Sequence, residues 1–218
     1  PESIKFYNEL LQEAGYFTSN CSKTDYNLRV PNGRNPKTFW NYSGKDYADT
    51  WKKREKDQPF FTVYNIGESH ESRAFGDHND ESIDPEKMIL APYHPDLPEM
   101  RNTYAKYSSA ISKMDSLVGK AIENLKNDNL YDDTIIVYNS DHGGVLARSK
   151  RFLYSSGIHC PLIVRIPAKW KHLYPKGKLP GTTVDRIVSF IDMPKTWLSL
   201  TGAKVTKNFQ GRIFLGPN

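Results

Sequence analysis

Asp141 and His142 stand side by side and are followed by Gly143 and Gly144. A carboxylate and an imidazole are both metal ligands, and glycines let a backbone approach a ligand closely. The pair suits a metal or oxyanion site, although a lone Asp-His-Gly suits an ordinary turn equally well. Its context favours chemistry. Ile135, Ile136, Val137 and Tyr138 precede it, a short apolar run rich in β-branched residues that reads as a buried strand. In an open α/β sheet, ligands bind at the carboxyl ends of strands. His70 repeats the arrangement, coming just after the apolar run 60–66 and the polar Gly67, Glu68 and Ser69. A histidine in that position suits acid–base or anion-binding work, because its charge changes near neutral pH.

The elements that must carry these residues follow in order. Ser3 caps a helix in which Tyr7, Leu10 and Leu11 recur at helical spacing, and Gly15 ends it. Residues 16–19 read as a strand, followed by a polar loop over 20–28 that holds Lys23 and Asp25, charges of opposite sign. Residues 29–58 are mostly turn, with a short helix expected around 47–53 and Trp40 and Trp51 as packing anchors. The stretch 73–97 is acidic and proline-rich, an irregular excursion of the kind that forms lids or binding loops. A helical stripe then runs from Glu99 to about Asn127 and reads as core. Strand 60–66, this helix and strand 134–139 are expected to form one right-handed βαβ unit. Residues 161–166 are a further strand, 184–191 a strand or strand-like approach, and Asp192 opens a last helix closed by Gly202.

Composition bounds the partners. With 38% hydrophobic and 12% aromatic residues the chain is globular, and 218 residues bury a sizeable core. A formal charge of +5 suits an anionic substrate, while no basic run is dense enough to argue for nucleic acid. No stretch approaches the length of a membrane span. Two cysteines, Cys21 and Cys160, are no disulfide framework and read as structural. Both ends of the chain, at Pro1 and Asn218, read as cuts within a longer protein.

Five segments in this order resemble the sulfatases of the alkaline phosphatase superfamily, those with a formylglycine nucleophile. Gly15, Tyr16 and Thr18 followed by Lys23 are similar to the family's Gly-Tyr-x-Thr…Gly-Lys-Trp-His. The strand over 60–65 followed by Ser69 and His70 resembles its strand ending in Pro-His, and Asp141, His142 and Gly143 resemble its metal-binding Asp-Asn/His-Gly. Lys150, Tyr154, Gly157, Pro161 and Pro167 match the spacing of its Lys-x-x-x-Tyr block, and residues 188–202 its closing Asp-x-x-Pro…Gly helix.

The resemblance implies an α/β fold with a mostly parallel sheet sandwiched by helices. Residues 1–218 would be the central, incomplete part of a single domain, without its nucleophile segment and C-terminal subdomain. It implies a sulfuric ester hydrolase acting on a sulfated carbohydrate or similar substrate in an exported compartment: periplasmic, extracellular or lysosome-like. Asp141 and His142 would ligate one calcium ion; Lys150 would hold sulfate by charge. Lys23 would lie near the nucleophile, and His70 would contact sulfate and protonate the leaving atom. Two departures stand out. Asp25 stands where the family has a histidine two positions after the lysine, which points to substrate recognition instead. The nucleophile motif Cys/Ser-x-Pro-x-Arg does not occur here, so formylglycine is expected upstream of Pro1 and this chain alone is expected to be inactive. The alternatives are a phosphodiesterase or phosphatase of the same superfamily, and a non-catalytic relative that binds sulfated glycans through Lys23, His70 and Lys150.

Overall fold

A computed structural model describes residues 5–21, 23–24, 26, 39–45, 47, 50–76 and 79–216. The elements are α1 (Tyr7–Glu13), β1 (Phe17–Cys21), β2 (Tyr42–Gly44), β3 (Phe60–Tyr64), α2 (Pro98–Asn127), β4 (Ile136–Asn139), α3 (Ser155–Ile158), β5 (Leu162–Arg165) and α4 (Asp192–Leu200). They group into two compact units, one formed by Pro1–Asn65 with Ala168–Asn218 and one by Ile66–Pro167.

The first unit is built on a parallel sheet of order β2-β1-β3. β1 sits in the middle, with Phe17 opposite Phe60 and Cys21 opposite Tyr64 on one side and Ser19 opposite Tyr42 on the other. All five of its residues are buried, as a central parallel strand requires. Three of them are polar, and each finds a partner. The Ser19 and Thr62 hydroxyls lie 2.8 Å apart, the Thr18 amide donates to Asn41 Oδ1 at 2.8 Å, and Asn20 Nδ2 donates to the Lys23 carbonyl at 2.7 Å. Trp51 and Trp40 are buried, as their size suggests, and Trp51 packs on Phe60 and Tyr64. α1 buries Leu10 and Leu11 against Leu198 and Ala203 of the α4 region. Glu9 reaches back to accept from the Phe6 amide at 2.9 Å, and Gly15 at φ +89° ends the helix.

The second unit holds α2 and the antiparallel pair β4-β5, in which Ile136 faces Arg165 and Asn139 faces Leu162. Pro98 occupies the first turn of α2, where its missing N–H costs nothing, and Asn129 at φ +57° follows its end. Burial along α2 is deepest at Ala105, Ser109, Ala110 and Leu125 rather than at its larger apolar residues, and Ile111 is exposed. Arg165 secures the start of β4, donating to the Tyr131 carbonyl at 2.6 Å with its guanidinium 3.5 Å from the Tyr131 ring centre.

The alkaline phosphatase/sulfatase-type α/β expectation accords with this parallel sheet and its helices. Two details differ. The expected βαβ unit is not formed among the described residues: β3 pairs with β1, and β4 takes β5, antiparallel, because the segment 140–161 turns the chain back on itself. Residues 184–191 are not a strand. The Arg186 amide bonds locally to the Val184 carbonyl, the Ser189 amide is taken by Asp192, and Ile187 is fully exposed, so no ladder is left for them to join. Ser3 and residues 48–49 of the expected helix at 47–53 lie outside the described residues, and residues 50–53 form a turn rather than a helix.

Candidate functional site

Two loops of the second unit are pressed together backbone on backbone. One, residues 140–144, leaves the end of β4. The other, residues 149–157, leads toward β5. The Gly143 amide donates to the Gly157 carbonyl and the Lys150 amide to the Gly144 carbonyl, both at 2.8 Å. A Cβ on Gly143 would lie 1.9 Å from the Ser156 carbonyl oxygen, and one on Gly157 would lie 2.1 Å from that of Phe152. Both glycines are therefore dictated by close approach. This contact ties Lys150 to the loop that carries Asp141 and His142.

The side chains of Lys150 and Arg151 both turn to Glu71. Lys150 Nζ is 3.4 Å and Arg151 Nη2 2.7 Å from Glu71 Oε2. Glu71 is buried, and the pairing joins segments 80 residues apart in sequence. Two cations on one carboxylate leave a local excess of positive charge. Arg151 reaches this position from a left-handed backbone, φ +79°.

His70 directly precedes Glu71 and caps the short 3-10 turn Glu71–Arg73. Its Nδ1 accepts from the Ser72 amide at 3.3 Å and lies 2.9 Å from the Ser72 hydroxyl. An amide only donates, so the neutral ring carries its proton on Nε2, pointing away from the turn. His70 is exposed, which leaves that N–H able to reach an anion.

Asp141 and His142 face each other, with Oδ1 3.6 Å from Nε2. His142 Nδ1 donates to the Gly143 carbonyl at 2.8 Å, which in the neutral ring turns the Nε2 lone pair toward the carboxylate. Two acceptors so placed can face one cation. Among the described residues, however, no group of three or more His, Cys, Asp or Glu side chains is placed to hold a metal ion. Two side chains fall short of the six to eight oxygens that calcium takes.

Burial pushes the Cys160 thiol above the ordinary cysteine range, and the charge of Asp141 pushes it the same way. Cys21 is completely buried in β1.

The expected site residues thus divide. His70, Lys150, Asp141 and His142 all belong to the second unit. Lys23 belongs to the first, where its carbonyl accepts from Asn20. Asp25 lies outside the described residues. Sequence reasoning missed Glu71 as the common partner of Lys150 and Arg151. The one available signal was its place directly after His70, and nothing local marks a glutamate as buried.

The sulfatase family model matches residues 7–203. An ulvan-active sulfatase from Formosa agariphila is 31% identical over 253 aligned positions, which cover 99% of this chain and 40% of that protein. An N-acetylglucosamine-6-O-sulfatase from Bacteroides thetaiotaomicron is 32% identical over 109 positions, covering 48% of this chain and 18% of that protein. A solved structure of a protein in complex with its substrate D-glucosamine-2-N,6-O-disulfate superposes with a TM-score of 0.62 at 18% identity, covering 96% of this chain and 63% of that one. The chain spans about two fifths of the length of the ulvan-active relative. A family match that runs from the first residue of α1 to beyond the end of α4 shows that the chain belongs to the sulfatase family.

Proposed function

We propose that this chain supplies the sulfate-binding cations and the leaving-group acid of a sulfuric ester hydrolase that acts on sulfated carbohydrate. The observation that carries this reading is the convergence of Lys150 and Arg151 on Glu71, the residue directly after His70. Lys150 and Arg151 provide charge for the sulfate oxygens, and Glu71 holds them in place. Positive groups fixed before the substrate arrives need no reorganisation as charge develops, and this is where such sites gain most. As the S–O bond breaks, the departing sugar oxygen takes the Nε2 proton of the imidazolium form of His70, whose Nδ1–H donates to the Ser72 hydroxyl 2.9 Å away, and a neutral ring is left. The ring then recovers a proton from water before the next turnover.

The nucleophile is assigned outside these residues, as a formylglycine. Asp141 and His142 are assigned as two ligands of a divalent ion, calcium, which when bound would supply further charge for the sulfate oxygens. Lys23 and Asp25 are assigned to the nucleophile's surroundings and to substrate recognition. The relatives named for ulvan and for N-acetylglucosamine 6-sulfate support a sulfated glycan as substrate. The family also supports an exported location, and among the described residues no helix is long and apolar enough to cross a membrane.

The test is a desulfation assay of the full-length protein on sulfated monosaccharides beside a phosphate monoester of the same sugar. Sulfate release that falls at least about 100-fold in both Lys150→Ala and His70→Ala is expected, the scale of losing a charge-stabilising or acid–base group. Faster phosphate release would instead favour the phosphatase reading, and saturable binding without release of either anion the non-catalytic one.

A further inference from the structure

Arg148 lies two residues before Lys150, yet it is not part of the Glu71 cluster. Its guanidinium carbon is 4.7 Å from the ring centre of Tyr93 and 4.4 Å from that of Tyr154. Tyr154 in turn stacks on Phe152. The Arg148 backbone is left-handed, φ +61°, a region costly for a residue with a side chain, and the Ser156 hydroxyl holds it by donating to the Arg148 carbonyl at 2.6 Å. Strain held in place this way is a feature of functional sites.

The facing wall is fixed as well. The Ala91 amide donates to the Tyr104 hydroxyl at 3.0 Å, that hydroxyl donates to His94 Nδ1 at 2.7 Å, and His94 Nε2 donates to the Ala147 carbonyl at 2.9 Å. The residue after Tyr93 is therefore tied to the residue before Arg148. Between the walls is an open depression of about 220 Å3 lined by Tyr93, Arg148, Tyr154, Ser155 and Ser156.

Unlike Arg101, Arg151 and Arg165 in the same unit, Arg148 has no carboxylate within ion-pair distance among the described residues. Stacking engages the face of a guanidinium and leaves its rim of N–H donors available. Such a rim matches the two oxygens of a carboxylate or sulfate. Arg148 itself is exposed, and Tyr93 and Tyr154 beside it are each about half exposed, 46% and 49%. Two residues span at most about 7 Å of chain, so one oligosaccharide can reach both Arg148 and Lys150.

We propose that this depression is a second anion subsite, which takes the carboxylate or sulfate of the sugar residue adjoining the one desulfated. The proposal rests on the sulfated-carbohydrate reading above. It makes the substrate an acidic oligosaccharide rather than a singly sulfated monosaccharide.

The test compares full-length wild type and Arg148→Ala on four probes. They are a sulfated glucosamine, and the same sugar joined to a neutral sugar, to a uronic acid or to a second sulfated sugar. The expected result is a KM raised about 10- to 100-fold on the two acidic disaccharides, the scale of one charge-assisted contact, with kcat held and both neutral-context probes within about twofold. The acidic probe that suffers more identifies the anion. An equal KM rise on every probe, or none on the acidic ones, overturns the subsite. Should wild type release no sulfate, calorimetric titration with the same probes separates the two ideas. Arg148-dependent binding of the acidic disaccharides upholds the subsite while the hydrolase reading falls, and binding indifferent to Arg148 sinks the subsite itself.

Discussion

Glu71→Gln tests whether position or charge is what the cation cluster provides. The substitution keeps the size of the side chain and removes its charge. In the native chain Glu71 Oε2 lies 2.7 Å from Arg151 Nη2 and 3.4 Å from Lys150 Nζ. The Arg151 side chain is 68% exposed, so its pair contributes only about 0.2–1 kcal/mol. The Lys150 side chain is 21% exposed, and its contact is long for a charged hydrogen bond, which places it near the lower end of about 1.5–3 kcal/mol or a little below. Together the loss is about 1–2 kcal/mol, or about 3–6 °C in Tm for a chain of this size. A cycle with Lys150→Met isolates the lysine arm and should return a coupling of about 1 kcal/mol. The activity readout separates two mechanisms. Removing Glu71 raises the formal charge of the group by one, so a cluster acting only through its field would bind sulfate more tightly and KM would fall. A cluster acting through a fixed Lys150 would lose kcat, by about 10- to 100-fold for a displacement near 1 Å, with KM within about threefold. The second outcome is expected. An unchanged Tm with zero coupling would refute the claim that Glu71 holds Lys150, and a lower KM at unchanged kcat would refute the positional argument.

Two further substitutions probe the scaffold. Gly143→Ala forces a methyl to within 1.9 Å of the Ser156 carbonyl, where only backbone can give way, so a loss of about 1–3 kcal/mol in chemical unfolding is expected; wild-type stability would show that the two loops are not in contact. Asp192 accepts from the Arg212 amide at 2.7 Å and the Ser189 amide at 2.9 Å, and these bonds hold its carboxyl below the usual range. A depressed carboxyl stabilises the fold above its unfolded value of about 3.9 and loses that contribution as pH falls through the lower folded value. The Tm gap between wild type and Asp192→Asn should accordingly be widest near pH 7 and narrow below about pH 4, and a gap that ignores pH would count against the assignment.

What could be read from residues alone was whatever rests on local bonds. The long helix was visible because its hydrogen bonds join residues four apart and its ends carry their own signals, Pro98 at one and Asn129 at the other. The strands at 60–64 and 136–139 were visible as apolar runs. Gly143 was legible as a position of close approach, though not what approaches it. The motif order identified the family, and with it His70, Lys150, Asp141 and His142 as candidates. Tertiary structure decided the partners. A strand's sequence does not name its neighbour, so β4 took β5 antiparallel where a parallel crossover was expected. Residues 184–191 carry strand-like composition, but local bonds to Val184 and Asp192 claimed their amides first. Glu71 and Arg148 were the least legible of all. The burial of a glutamate and the stacking of an arginine depend on chain segments far away, 80 residues in the case of Glu71 and Arg151, and a charged side chain reads alike in either setting until those segments meet.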